Sequence, residues 1–476
     1  MKRLIIALAV AVCISSLTFA QLRPTDQTGI NVFETPKTDV QFTGPKVEFG
    51  GAISMPYIAL TQSNDVVNKN PLLNSQALFN NTPNFALSMA NLYINSYLAD
   101  GITLNVTLYL ASKHHNETWV KGGYVQMDKI PFIHLDLLDN IMKYTTIKVG
   151  QMDVNYGDSH FRRSDGGNGM YNAFMENYIM DEFATEIGAE ADVNVNGVVG
   201  SVEVTDGELN PNLAAVDTTQ ATYLITHASN KYANGVRNPA FIAKLGFDKQ
   251  ITDKFRARLT GSVYTTAGSG SNTLFGGDRT GSNYSAVMYN LAPGTTTAFN
   301  GRFNPAFSDR LTTFMGNLFL KYKLMDALSV ESFTTIEAGH GAKASEATDR
   351  KANQFATDLI FRFGKSENFF IGIRDNTVSA DVPASTAKTA AALNTANSVT
   401  TYTIGQDAYP AYSQAISRLA ISGGWYVTKN IMAKIEYVNQ KYTGFPVSTV
   451  VPVVPINYIY NGAQFHGLSA EAVIAF

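Results

Sequence analysis

A polar stretch of the sequence, residues 151–182, concentrates charged side chains of both signs beside several aromatic residues. The aromatic side chains could anchor this stretch against a wall, while the charges could line a narrow passage for ions or polar solutes. Long structured loops are usually functional. Six residues are therefore candidates for a pore constriction: Asp158, His160, Arg162, Arg163, Asp165 and Glu176. The alternative is that residues 151–182 form a solvent-exposed cap.

The sequence lacks the motifs of common catalytic and cofactor sites. It contains no G-x-S-x-G, no H-E-x-x-H and no G-x-x-x-x-G-K-[ST], the minimum parts of hydrolase, zincin and P-loop sites. The adjacent His114 and His115 fall in a short loop, where neighbouring side chains point apart more often than they chelate a metal. We therefore predict that the protein is not an enzyme and that it has no cofactor and no metal site.

Segments in which apolar and polar residues alternate recur along the chain, and the last of them, Leu468 to Phe476, ends on an aromatic residue. This period indicates strands with one apolar and one polar face. A last strand of this kind is typical of a transmembrane β-barrel. We predict about sixteen strands, near residues 47–57, 85–99, 101–112, 118–127, 144–150, 183–195, 198–205, 240–248, 254–266, 314–324, 327–338, 354–364, 367–377, 415–427, 430–442 and 465–476.

The connections between these strands alternate between short and long. Asp100-Gly101 and Asn196-Gly197 are strong hairpin signals, and further turns are predicted at 250–252, 325–326, 365–366 and 428–429. Residues 128–143 are a longer exception on the same side, while the polar connections on the other side are mostly long. This asymmetry favours an all-β, transmembrane, antiparallel β-barrel with short periplasmic turns and long extracellular loops. A soluble β-sandwich or propeller is the alternative.

The amino terminus predicts export. Lys2 and Arg3 precede an apolar stretch, and Thr18 to Ala20 resemble a cleavage site, so residues 1–20 read as a signal peptide that also contains Cys13, the single cysteine. Residues 21–46 are then a periplasmic N-terminal segment, and residues 47–476 form the barrel. The mature chain has 34 basic residues (36 less Lys2 and Arg3) against 39 acidic ones, which argues against a nucleic-acid partner. The predicted location is the outer membrane of a Gram-negative cell.

The polar face of the strands should line the lumen, because a charge facing lipid at mid-membrane costs about 2–4 kcal/mol. A charged interior of about sixteen strands should be wet. The alternative is that neighbouring charges pair inside the lumen, for example Arg362 with Asp358. The residues predicted to line the lumen are Arg256, Arg258, Lys321, Lys323, Glu331, Asp358, Arg362, Arg374, Arg418, Lys434 and Glu436.

The chain resembles outer-membrane porins of the phosphate-selective porin O/P-like family. The resemblance rests on Leu22 to Lys37, on Asn155 to Arg163 with Tyr171-Asn172, on Gly423 to Tyr426 followed by Lys434 to Tyr442, and on Phe465 to Phe476. The resemblance spans most of the mature chain, and its motifs are signals of the family as a whole. It implies a porin fold and, from the family name, passage of anions or phosphate.

Taken together, these patterns predict an outer-membrane porin that allows passive diffusion of small hydrophilic solutes or ions. A barrel-borne hydrolase at the outer rim and a structural or secretion-accessory barrel remain as alternatives. In the last case residues 21–46 would be the candidate plug. The expected partners are outer-membrane lipids, the barrel-assembly machinery through the C-terminal strand ending at Phe476, small solutes or ions, and further copies of the chain in a homotrimer.

Overall fold

The computed structural model describes residues 23–35, 37, 42–65, 78, 80–86, 88–111, 118–164, 169–208, 238–269, 272–276, 283–284, 287–288, 301–343, 346, 348–384, 394–395, 398–399, 411–445 and 458–476. The predicted signal peptide, the pair His114 and His115, and the candidate residue Asp165 lie outside the described residues.

Sixteen long strands form the body of the protein. Their bounds are β1 Lys46–Ser63, β2 Met89–Ala99, β3 Ile102–Ala111, β4 Thr118–Met127, β5 Thr145–Asp153, β6 Thr185–Val195, β7 Val198–Thr205, β8 Ala240–Thr252, β9 Phe255–Thr266, β10 Leu311–Met325, β11 Leu328–Gly341, β12 Arg350–Phe363, β13 Phe369–Val382, β14 Tyr412–Thr428, β15 Ile431–Thr443 and β16 Gln464–Ala475.

Antiparallel pairing closes these strands into a barrel. Each strand pairs with its neighbours along the chain, and β1 also pairs with β16, from Ala52 opposite Ala475 to Ser63 opposite Gln464. A two-residue strand, Asn84–Phe85, adds to β1. A closed sheet has no open edge, which is how strands satisfy their backbone polar groups inside a bilayer. The predicted antiparallel barrel of sixteen strands is confirmed.

The two faces of the strands differ in polarity. Along β13 the exposure alternates residue by residue, so that Ile371 and Ile373 are exposed on the outside while Phe370 and Arg374 are buried on the inside. Exposed apolar side chains recur around the outer face; we call this set the outer belt, and it includes Val202, Leu245, Leu259, Ile336, Ile371 and Ile435. An apolar outer face is what contact with lipid requires.

Short connections meet at one end of the barrel, here called the turn end, and the longer ones at the other, the loop end. Asn196 and Gly197 join β6 to β7 with φ of 52° and 91°, the left-handed conformation that a tight hairpin needs. Several predicted boundaries are wrong; for example, β2 begins at Met89 rather than at residue 85, and β13 runs to Val382 rather than to residue 377. Residues 250–252 belong to β8 rather than to a turn, and β1 runs to Ser63 rather than to residue 57, because the hydrogen-bonded pairing with β9 and with β16 continues beyond the predicted strand ends.

The long turn-end connection, residues 128–144, contains one α-helix, α1, from Asp136 to Met142. Within the described residues, no helix is both long enough and apolar enough to cross a bilayer.

Candidate pore-constriction site

The loop between β5 and β6, residues 154–184, folds into the barrel in its two described stretches, residues 154–164 and 169–184. We call it the inserted loop. Apart from residues 159–161, its described side chains are buried. Its backbone N–H groups donate to side chains on opposite walls: Asn155 to Glu203 of β7, Asp158 to Asn317 of β10, Met175 to Glu436 of β15, Ile179 to Asn376 of β13, and Met180 to Gln354 of β12, at 2.7–3.0 Å. The cap-like alternative is therefore not what this loop forms.

Asp158 anchors the start of the inserted loop in a cluster of cations. Its carboxylate accepts two 2.8 Å hydrogen bonds from Arg258, one of 2.6 Å from Thr260 and one of 3.1 Å from Lys244. Burial alone would raise the pKa of Asp158, but the charges of Lys244 and Arg258 outweigh it and hold that pKa well below its ordinary value. Asp158 is therefore ionised.

Arg258 also joins the inserted loop to the N-terminal segment. Its guanidinium makes a bidentate pair with Glu34, with N···O distances of 2.6 and 2.8 Å, while still holding Asp158. A third carboxylate, that of Asp248, lies 3.2 Å from Nη1. Arg258 is 1% exposed, so it serves as a buried cation shared by two inserted segments and the wall.

Arg162 and Arg163 point to different partners. Arg162 donates to the side chain of Asn31 at 3.0 Å and stacks over Phe333, 4.8 Å from the ring centre. Arg163 pairs with Asp181 of the same loop and stacks over Phe183. Both arginines are buried, and their charges are held inside the barrel rather than on its rim.

Glu176 organises the far part of the inserted loop. Its carboxylate accepts backbone hydrogen bonds from Asn177 at 3.0 Å, from Asn283 at 2.9 Å and from Tyr284 at 3.3 Å. Asn283 and Tyr284 belong to the loop between β9 and β10, residues 267–310, so described residues of a second loop also lie in the lumen. Arg302 of that loop adds an ion pair to Asp181 at 2.7 Å.

The cations of β13 to β15 bind the inserted loop mainly through its carbonyl oxygens. Arg374 donates to the carbonyl of Glu176 at 2.7 Å and Arg418 to that of Asn177 at 2.6 Å. Lys434 donates to the carbonyls of residues 172 and 174, both at 2.9 Å, and pairs with Glu471 at 2.8 Å. Glu436 accepts from the loop backbone at residue 175 and from the Tyr284 hydroxyl.

Two acidic residues predicted to line the lumen pair across strands. Arg374 of β13 forms a bidentate pair with Asp358 of β12, at 2.6 and 2.8 Å. Arg362 of β12 pairs with Glu331 of β11 at 2.8 Å. The proposed pairing of Arg362 with Asp358 is wrong, since each finds its partner on a neighbouring strand.

The predicted lumenal residues nearest the turn end are more exposed. Arg256 pairs with Asp248 and is 27% exposed in its side chain, and Lys321 pairs with Glu331 and Glu367. Lys323 lies at the rim, where it pairs with Asp326 of the adjoining turn and is 48% exposed. These three side chains lie around the turn-end mouth rather than among the predicted constriction residues.

Residues 23–35, here called the N-terminal segment, cross the turn end of the lumen. Asn31, with φ of 57°, donates to Glu331 at 2.8 Å, and Phe33 packs edge-on against Phe161 and Phe319. Gln27 bonds the carbonyl of Lys429 through its backbone and those of residues 366 and 367 through its side chain. The segment thus ties the turns after β12 and β14 to the inserted loop.

The described part of the lumen is packed rather than wet. Arg258, Arg362 and Arg418 are each 1% exposed although they face the interior. One cavity of about 10 Å³ lies among Arg162, Tyr178, Glu182 and Arg374, room for about one water molecule. The expectation of a wet interior is therefore wrong for this part, because the described residues of the inserted loop, of the N-terminal segment and of the loop 267–310 fill it.

His160 is a neutral neighbour of this network. Burial lowers the pKa of His160 well below its ordinary value, and the charge of Lys244 acts in the same direction. Its ring stacks on Phe161 with centres 4.0 Å apart. His160 therefore contributes bulk and an aromatic contact, and no charge, at neutral pH.

Sequence reasoning missed several members of the network: Asn31, Glu34, Asp181, Asn317 and Arg302. Asp181 could have been found, since it follows Glu176 in the same charged stretch. Asn317 could also have been found, since the alternation along β10 places it on the face that points into the lumen. Glu34 and Asn31 carry no local signal, because their role depends on contacts with residues more than two hundred positions away. Among the described residues, no three His, Cys, Asp or Glu side chains are grouped to hold a metal ion.

No family model matches the chain, so the resemblance to phosphate-selective porins O and P stays a prediction. No curated protein matches it either. Three solved structures show its similarity to known barrels. OmpT, an outer membrane protein of Vibrio cholerae, has 8% identity and a TM-score of 0.46 over 92% of this chain and 100% of that one. The outer membrane channel DcaP of Acinetobacter baumannii has 10% identity and a TM-score of 0.46 over 92% and 99%. An anion-selective porin from Comamonas acidovorans has 9% identity and a TM-score of 0.45 over 91% and 100%.

Proposed function

We propose that this chain is an outer-membrane porin through which small hydrophilic solutes or ions diffuse passively along a narrow path. The observation that carries the proposal is the combination of a closed barrel, an apolar outer belt and a charged interior into which the inserted loop folds. An apolar outside requires lipid, and charges of both signs at a constriction suit passage of hydrated solutes. The inserted loop and the N-terminal segment would set the width of the path.

The proposed orientation places the turn end in the periplasm and the loop end outside the cell, as in other outer-membrane barrels. Residues 1–20 would be the signal peptide, residues 21–46 would be the periplasmic N-terminal segment, of which residues 23–35 enter the lumen from the periplasmic side, and residues 47–476 would form the barrel. The proposed partners are outer-membrane lipids, the assembly machinery that reads the strand ending at Phe476, small solutes or ions, and other copies in a homotrimer.

A second candidate has one observation in its favour. The dense packing of the described lumen is what a structural or secretion-accessory barrel with a plugged interior would show. Passive passage remains the primary proposal, because the inserted segments place charges of both signs inside the barrel, where the constriction of a porin selects solutes. No observation among the described residues favours the alternative of a barrel-borne hydrolase.

Swelling of vesicles separates the porin from the plugged barrel. The mature chain is reconstituted into vesicles that are then diluted into isotonic solutions of sugars of increasing size. We expect swelling that is fast for a pentose and falls steeply for a trisaccharide, because the inserted segments narrow the path. Vesicles without protein give the background. Swelling at that background for every sugar, with folded protein present, would favour the plugged barrel.

We predict that Arg162 and Arg163 help to set the ion preference of the pore. Replacing both by Gln should move the reversal potential in a salt gradient toward cation preference, since two buried positive charges leave a confined space while Asp158 and Asp181 remain. The measurement is the reversal potential across a planar bilayer.

The matched control replaces Lys254 and Lys323 by Gln, which removes the same charge from exposed positions near the turn end. Salt screens exposed charges over about 8–10 Å, so this control should shift the reversal potential much less. Equal shifts in the two double variants, or none in either, would show that the inserted loop does not control selectivity.

A further inference from the structure

The turn-end connection between β4 and β5 exposes apolar side chains on a helix. Residues 128–144 carry α1, and around it Leu137 is 75% exposed and Phe132 66% exposed. Ile133, Leu135 and Ile141 are exposed as well. Apolar side chains gathered on one exposed surface usually mark a contact with lipid or protein.

The helix divides cleanly into two faces. With 3.6 residues per turn, Asp136, Asp139, Asn140 and Lys143 share one side, and Leu137, Leu138, Ile141 and Met142 share the other. Met142 turns toward the protein and is 4% exposed. Leu137 and Ile141 lie on the part of the apolar face that points neither toward the barrel, as Met142 does, nor in the direction of the polar side chains.

The inner side of this connection is occupied by the chain itself. The Lys37 ammonium donates to the carbonyls of Asp128 at 2.7 Å and Thr145 at 2.6 Å, and also to that of Met142. Thr146, whose hydroxyl bonds the Asp128 carboxylate, faces the same side. Because that side is filled, the exposed apolar residues face away from the lumen.

Hydrogen bonds and an ion pair fix this connection to the turn between β2 and β3 and to β6. The backbone N–H of Asp128 donates to the carbonyl of Gly101 at 2.7 Å, Lys129 pairs with Asp100 at 3.2 Å, and the backbone N–H of Asn194 donates to the carbonyl of Tyr144 at 3.0 Å. Leu98 of β2, Val149 of β5 and Val193 of β6 expose apolar side chains on the outer face of neighbouring strands, and Tyr144, the last residue of the connection, is exposed as well. The apolar side of α1 thus continues the outer belt.

We propose that α1 lies in the interface of the membrane leaflet at the turn end, with Leu137 and Ile141 among the lipids and the polar face of Asp136, Asp139, Asn140 and Lys143 in water. An amphipathic helix of this kind buries its apolar side by about 5–10 Å at the boundary of headgroups and acyl chains. The polar face is acidic and does not attract anionic lipid headgroups, so burial of the apolar side chains stabilises the contact with the membrane. This inference rests on the proposed membrane location and goes beyond the proposed passage of solutes.

Tryptophan quenching tests the proposal. The native Trp119 and Trp425 are replaced by Phe, and a single Trp is introduced as Leu137→Trp or, as the matched control on the opposite face, as Asn140→Trp. Each variant is reconstituted into phosphatidylcholine vesicles with bromine on the acyl chains near the headgroup. A third protein, with Trp119→Phe alone, keeps Trp425, which is 47% exposed on the outer face of β14. Heat-modifiable migration verifies that each barrel is folded.

We expect brominated lipid to reduce the Leu137→Trp fluorescence by about twofold or more, with little effect on Asn140→Trp, which aqueous iodide should quench instead. If Trp425 is quenched by lipid but Leu137→Trp is quenched by iodide, the helix proposal fails and the membrane location stands. If neither is quenched by lipid, the membrane location itself fails. A Leu137→Trp signal shielded from both quenchers would mean that protein covers this face, and would also overturn the proposal.

Discussion

Replacing Arg258 by Met should lower the free energy of unfolding by about 3–5 kcal/mol, the cost of removing one partner from a buried ion pair. The side chain is 1% exposed and neutralises Asp158 of the inserted loop and Glu34 of the N-terminal segment together. Without it, two carboxylates stay inside the barrel with Lys244 as their nearest remaining cation. Urea unfolding of the reconstituted barrel, followed by loss of heat-modifiable migration, measures the change.

Arg256 offers the matched control, because it lies two positions away on the same strand and faces the same side. It is partly exposed and pairs with Asp248, so Arg256→Met should cost only about 0–1 kcal/mol. Adding Asp158→Asn and Glu34→Gln to Arg258→Met should recover much of the loss, since the stranded charges disappear. Equal stability of the Arg258→Met and Arg256→Met barrels would contradict the role given to Arg258.

A barrel that lacks residues 23–35 should conduct at least about three times more current than the full mature chain, because sixteen strands enclose a space wide enough for an aqueous channel and the deletion removes the segment that crosses its turn end. In the complete chain this segment spans the turn end, from Gln27 at the turns to Glu34 at Arg258. Single-channel recording in a planar bilayer gives the comparison directly.

The control for this deletion replaces residues 42–45, just before β1, by a Gly/Ser tetrapeptide. These residues are exposed or half-exposed, so the conductance should match that of the complete chain. If removal of residues 23–35 leaves the conductance unchanged while the barrel folds, the segment does not limit the path, and the inserted loop alone must do so.

The barrel wall could be predicted from the sequence because its signals are local. In β13, Ile371 and Ile373 point to lipid because every second residue does, and Asn196-Gly197 specifies a hairpin within two residues. Strand ends were less certain, since the inward positions Ile58 and Leu60 near the end of β1 are apolar and the outward position Lys249 near the end of β8 is charged, so neither end keeps the apolar-out, polar-in alternation. Their pairing depends on the neighbouring strand.

The arrangement inside the lumen could not be predicted in the same way. Arg362 and Asp358 share a face of β12, but at about 3.3 Å per residue they stand too far apart along the strand for an ion pair. Arg374 lies directly opposite Asp358 on β13, where side chains are about 5 Å apart, and it takes that partner. The inserted loop and the N-terminal segment find their places through contacts of this long-range kind.

Single-channel recording of the complete mature chain in a planar bilayer under a salt gradient tests the central claim most directly. The proposed porin predicts steady open steps of small size, with a reversal potential that moves toward cation preference when Arg162 and Arg163 are both replaced by Gln. A barrel that is folded by its heat-modifiable migration yet shows no steady open conductance would contradict passive passage and support a plugged barrel.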